Sequence, residues 1–185
     1  MAGLKKIDVQ IECFGKFSIY RNGRYHPMKN KKAEELLSYL CCNGGKAVRK
    51  RMLEELMWAE AERGRARDSL YKVCAFLNGW QEREGVALPL AIYREEIYLD
   101  TELIELDLQK FFKCLNSEKV EDWERAERLY TAPLLFENSY EWVEDYEAVY
   151  DMAYYEALGR LLDYYEKEEN KEKILYYSRK LKGFR

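Results

Sequence analysis

Apolar and polar positions along this chain switch between two periods, and each switch marks an element. Ile7, Val9 and Ile11 alternate with polar neighbours, and Phe17 and Ile19 do so again, the two-residue period of half-buried strands. Gly15 separates the two runs. Asn22-Gly23 is a hairpin signal, because both central residues of a two-residue turn need positive φ. The pattern predicts a three-stranded antiparallel start over residues 7–28, ended by Pro27.

From residue 31 the spacing becomes helical. Ala33, Leu36, Leu37 and Leu40 share one face, and Asn43-Gly44-Gly45 supplies the stop, since glycine takes a left-handed cap without steric cost. A second helix is predicted over residues 50–58, with Leu53, Leu56 and Met57 on one side. A third runs over 63–78 with Ala66, Leu70, Val73 and Leu77 inward and Gly79 fraying its end. Residues 92–99 alternate again around Arg94-Glu95-Glu96 and predict a β-hairpin.

After Thr101 every segment reads as helix. Asp107 suits the N-cap of a helix through Leu115. Residues 120–130 form another, and Pro133 interrupts. A long helix over 140–167 repeats Trp142, Tyr146, Val149, Ala153, Ala157, Leu161 and Tyr165 at spacings of three and four. Residues 171–181 close the series. Paired helices rich in Tyr, Leu and Ala resemble a tetratricopeptide-type stack, although no strict repeat aligns. The fold class is therefore α+β, mostly helical.

Charge divides where the pattern changes. Residues 1–100 carry 18 Lys and Arg against 14 Asp and Glu, an excess of four, whereas residues 101–185 carry 13 against 20, a deficit of seven. Ten of the sixteen tyrosines also follow residue 100. A mildly basic domain, 1–100, is expected before an acidic one, 101–185. Nothing approaches the ~18 consecutive apolar residues of a membrane helix. The five cysteines are odd in number and lack Cys-x-x-Cys spacing, which suits reduced thiols and a cytoplasmic location.

The same inventory argues against catalysis. His26 is the single histidine, and there is no Gly-x-Ser-x-Gly, no phosphate-cradling glycine loop and no His-Glu-x-x-His. Glu54-Glu55 and Asp122 with Glu124 fall on faces expected to be exposed. Adjacent Cys41 and Cys42 cannot furnish a tetrahedral metal shell, so neither metal nor cofactor is expected. The tyrosine stripe of the long helix reads as core.

The chemistry that remains is cationic. With Ala66, Leu70, Val73 and Leu77 buried, Arg67, Tyr71 and Lys72 face outwards, and Arg63 and Arg65 stand at the helix entrance. A helix of this diameter fits the major groove of duplex DNA, where base edges are legible, and its N-terminus favours phosphate. Arg49, Lys50 and Arg51 open the preceding helix and suit backbone phosphates. Lys29 to Lys32 reads equally as a solubilising turn or a phosphate clamp.

Strands, three helices and a closing hairpin, in that order, resemble an OmpR-type winged helix-turn-helix. The strings Cys13-Phe14-Gly15-Lys16-Phe17, Lys31-Lys32-Ala33-Glu34-Glu35-Leu36-Leu37-Ser38-Tyr39-Leu40, Leu53-Glu54-Glu55-Leu56-Met57-Trp58, Ala66-Arg67-Asp68-Ser69-Leu70 and Tyr98-Leu99-Asp100 are similar to that family in its SARP-like regulators. In the second half, Asp107 with Phe111, Ala126 with Leu129-Tyr130, Leu134-Leu135 and Trp142 resemble its bacterial transcriptional activation domain. The resemblance implies that Arg94, at the hairpin tip, enters an adjacent minor groove. It implies an activation domain that is truncated here, since Tyr176 to Leu181 is followed by only four residues. The implied function is a transcriptional regulator that binds double-stranded DNA, with homodimer or RNA polymerase contacts through the helical domain and no membrane association. The rival is a protein–protein adaptor whose winged helix has lost DNA binding, a reading favoured by Asn78, Gly79, Glu95 and Glu96.

Overall fold

The computed structural model describes residues 8–183, so Ile7 of the predicted first strand lies outside it. The chain forms two compact units. One comprises residues 8–13 together with 17–106; the other comprises residues 14–16 with 107–183.

The first unit opens with β1 (Val9–Glu12), β2 (Ser18–Arg21) and β3 (Arg24–Tyr25), which pair antiparallel. Val9, Ile11 and Ile19 are buried and their neighbours are not, as the alternation requires. Asn22 and Gly23 both take positive φ, +50° and +73°, the backbone expected of their tight turn. Helix α1 (Lys31–Cys42) follows, its first free amides accepted by the Asn30 side chain from Lys32 and Ala33, both at 3.1 Å. Ala33, Leu36, Leu37 and Leu40 are all buried. Two strands escaped the periodicity because each is only two residues long. The first, β4 (Val48–Arg49), leads directly into α2 (Lys50–Met57).

Helix α3 (Arg63–Glu84) corrects one expectation. It does not fray at Gly79 but continues to Glu84, and Gly85, at φ +65°, supplies the left-handed cap. Trp80 explains the extension. Its ring is buried, and its indole N–H donates to the Pro27 carbonyl at 3.2 Å. Burial of so large a side chain outweighs the roughly 1 kcal/mol that a mid-helix glycine costs. The hairpin β5 (Leu90–Ile92) and β6 (Glu96–Leu99) then joins β4 in a sheet ordered β4-β6-β5. The second unforeseen strand, β7 (Glu105–Leu106), adds parallel to β1 and makes the first sheet four-stranded.

In the second unit α4 (Asp107–Leu115), α5 (Val120–Leu129), α6 (Glu144–Lys167) and α7 (Lys171–Gly183) each pack on the next. Asp107 is buried, and its carboxylate accepts the Phe14 N–H at 2.9 Å. The Phe14 ring sits among Phe111, Tyr130 and Tyr150, with centroids 5.1–5.6 Å away. This aromatic cluster turns the face of α6. Tyr150, Tyr154, Ala157, Leu158 and Leu161 are buried, whereas Val149, expected inside, is 57 % exposed. Rings at Tyr150 and Tyr154 bury more area than Val149 would, so they set the rotation of the helix.

Two carboxylates, Glu127 buried and Glu124 partly so, fasten α7. Glu124 accepts from Tyr165 at 2.8 Å and from Lys173 at 2.6 Å, and Glu127 accepts from Tyr176 at 2.9 Å and from Lys180. Glu124, expected on a solvated face, is therefore engaged. Burial raises its pKa, but the hydrogen bonds from Lys173 and Tyr165 outweigh that and hold it below its ordinary value. Among the described residues no helix is long and apolar enough to cross a membrane.

Candidate nucleic-acid interface

The basic residues of α2, α3 and the β5–β6 hairpin meet because backbone pairing ties α2 to the hairpin and α2 packs on α3. Strand β4 pairs with β6 through Val48 with Ile97 and Arg49 with Glu96. The Lys50 N–H donates to the Glu95 carbonyl at 2.8 Å, so the first residue of α2 is fixed to the hairpin tip. Ala66, Leu70, Val73 and Leu77 are buried as expected, with Cys74 and Trp80 beside them. That orientation turns Arg67 and Tyr71 outwards. The result is an open groove of about 530 Å³, lined by Lys50, Arg51 and Glu54 of α2, Gly64, Arg67 and Tyr71 of α3, and Arg94 with Glu95 of the hairpin.

Within the groove the side chains differ in freedom. Lys50 is buried, and its ammonium lies 5.0 Å from the centre of the Tyr71 ring, itself half exposed. The pair is a cation–π contact that keeps the charge close against the ring. Arg51 Nε lies 3.0 Å from Glu55 Oε1, and Arg94 Nε 3.6 Å from Glu95 Oε1. These side chains are largely solvated, so each pair is worth about 0–1 kcal/mol and yields readily to a stronger anion. Arg67 has no ion pair among the described residues. Four cations thus face two carboxylates, and the groove is net positive.

The remaining residues expected to contact DNA lie elsewhere. Arg49 is exposed on β4, outside the groove lining. Arg65 pairs loosely with Glu62, at 3.6 Å. Lys72 is exposed but lies about 100° around α3 from Tyr71. Arg63 begins α3, and its side chain lies outside the described residues. Of the Lys29–Lys32 run, Lys32 has a structural role. Its ammonium donates to Glu35 and to the Met57 carbonyl, both at 2.8 Å, closing the end of α2. His26 is buried with Nδ1 3.0 Å from Glu84.

Two groove features, and one beside the groove, were not foreseen from the sequence. Glu54 is half-buried in the groove rather than solvated, and its position three residues after Arg51 on one helix face was the available signal. Gly64, one turn before Arg67 on α3, also lines the groove. Tyr93, 61 % exposed at the hairpin tip beside Arg94, offers a ring where only charge was considered.

No protein-family model matches this chain, and no curated protein sequence does. A solved structure does: Mycobacterium tuberculosis EmbR in complex with a low-affinity phosphopeptide, at a TM-score of 0.64 and 17% identity. The chain is similar to EmbR in fold. The match covers 92% of this chain and 53% of EmbR, so the chain spans about half the length of that protein. It includes both units, the winged-helix arrangement and the helical region after it.

Proposed function

We propose that this chain is a DNA-binding transcriptional regulator. Its winged helix receives operator DNA along α3 and the hairpin, and its helical unit makes protein contacts, with a second copy or with RNA polymerase. The observation that carries this reading is the convergence of Lys50, Arg51, Arg67, Tyr71 and Arg94 on one groove. These residues come from three separate segments, and a merely solvated set of charges has no reason to meet. The fold shared with EmbR is compatible with this reading. Phosphate contacts dominate affinity for DNA and make it salt-dependent. Arg51 and Arg94 are therefore assigned to the backbone, and Arg67 and Tyr71 to the groove floor and base edges.

The adaptor reading also has its observation. Glu54 and Glu95 line the same groove, and Arg51, Arg65 and Arg94 each sit beside a carboxylate. Such a surface suits a protein partner carrying both signs of charge. Fluorescence polarisation with random duplex DNA at two salt concentrations separates the readings. A regulator binds at low salt and releases as salt rises; a folded chain that shows no salt-sensitive binding overturns the regulator reading.

A further inference from the structure

We propose that the cleft between α4 and α5 is a binding site for a small organic phosphate. The cleft has a volume of about 650 Å³, within the range that holds compact organic ligands. Helix α4 contributes Lys110 and Lys113, and α5 contributes Arg125 and Arg128; each pair is spaced i, i+3 and so lies on one face. The two faces oppose one another across an apolar floor of Cys114 and Leu129. Burial pushes the Cys114 thiol above its ordinary pKa, which keeps that floor uncharged.

Charge is what sets this cleft apart. It gathers four cations in a half of the chain that holds only 13 against 20 acidic residues. The single carboxylate in its wall, Asp122, already accepts the Ser117 hydroxyl at 2.6 Å. Lys113, Arg125 and Arg128 make no ion pair among the described residues, although Lys173 and Lys180 of the same unit are held by Glu124 and Glu127. Lys113, Arg125 and Arg128 bring like charges to one cleft, and a bound anion there relieves their mutual repulsion.

The chemistry favours phosphate over carboxylate. Guanidinium groups engage phosphate oxygens through two parallel N–H donors, and a phosphomonoester near −2 matches the excess of cations better than a single carboxylate does. The apolar floor calls for a hydrophobic body attached to the phosphate. The turn joining α4 to α5 at one end of the cleft is tied down, since the Trp123 indole N–H donates to the Ser117 carbonyl at 2.7 Å and the Lys119 N–H to the Ser117 hydroxyl at 3.2 Å. Exposed Glu118 and Glu121 adjoin that end and repel a long acidic strand, so a compact ligand fits better than an acidic peptide.

The test is isothermal titration calorimetry of the whole chain with 1-naphthyl phosphate, inorganic phosphate and 1-naphthol. Naphthyl phosphate is expected to bind at one site per chain, about tenfold or more tighter than either part alone. The R125Q/R128Q and K110Q/K113Q variants, one from each wall, are each expected to weaken it by at least about tenfold. An R67A/R94A variant in the other unit should bind it unchanged, so the outcome is independent of the DNA reading. In ¹H–¹⁵N spectra of the unaltered chain, the Cys114 and Leu129 amides should shift on titration, a readout that survives if either variant fails to fold. No binding at millimolar ligand, several weak sites, or shifts confined to residues outside the cleft overturns the proposal.

Discussion

Gly79→Ala turns the continuation of α3 into a question of sign. Gly79 lies within the helix, outside the left-handed region, and a Cβ there would meet only Arg83 Nη1, at 3.1 Å. That atom ends a flexible, exposed side chain and can retreat. Alanine is worth about 0.8–1.0 kcal/mol over glycine in a helix interior. Moving Arg83, whose guanidinium lies 5.7 Å from the Phe76 ring, gives back about 0.5 kcal/mol. The net expectation is a stabilisation of about 0.5 kcal/mol, or ~2–4 °C in Tm for a unit of this size. Urea unfolding followed by circular dichroism would show a higher midpoint with an unchanged slope. Had the helix ended at Asn78, Gly79 would occupy a left-handed cap, and a Cβ there would cost about 1 kcal/mol instead. A destabilised G79A therefore refutes the account of α3.

Three further outcomes follow from the packing. Trp80→Ala should destabilise the first unit by about 3–5 kcal/mol, the usual cost of removing a buried aromatic ring, as read by urea midpoint; a loss under about 1 kcal/mol would show that Trp80 does not anchor the last turns of α3. Gly45→Ala should cost about 1–3 kcal/mol, because Gly45 takes φ +75° and an added Cβ would stand 2.8 Å from Thr101 Oγ1; thermal melts would expose a neutral result. For Glu124 the folded pKa lies below the unfolded value, so its stabilisation is present above about pH 4.3 and is lost as pH falls through the folded pKa. E124Q should therefore lower stability at pH 7 and flatten the acid limb of a stability–pH profile, and a profile parallel to that of the unaltered chain would contradict the network on α7.

The parts of this fold written in periodicity were legible in the sequence. Buried Leu36, Leu37 and Leu40, the Asn22-Gly23 turn and the inward face of α3 all follow from local spacing. What was not legible depends on contacts distant in sequence. Strands β4 and β7 are too short to show alternation and exist only through pairing with β6 and β1. Gly79 read as a stop because propensity is local, whereas Trp80 is buried against Pro27, more than fifty residues away. The face of α6 shifted from Val149 to Tyr150 because Phe14, far upstream, completes its aromatic cluster. At the candidate interface, residue types and elements were readable, but the burial of Lys50 against Tyr71 and the place of Glu54 were not, since both require the angle between α2 and α3.

The central claim is that the α2–α3–hairpin groove meets the DNA backbone, and its most direct test is the dependence of affinity on salt. Polarisation with a random duplex, read across a salt series, should give a linear fall in the logarithm of affinity, with each phosphate contact contributing about −0.9 to the slope. R51A/R94A, with helix content unchanged, should make that slope shallower by about 1.8, two backbone contacts' worth. An identical slope in the variant, or no salt-sensitive binding by the folded unaltered chain, would contradict the claim.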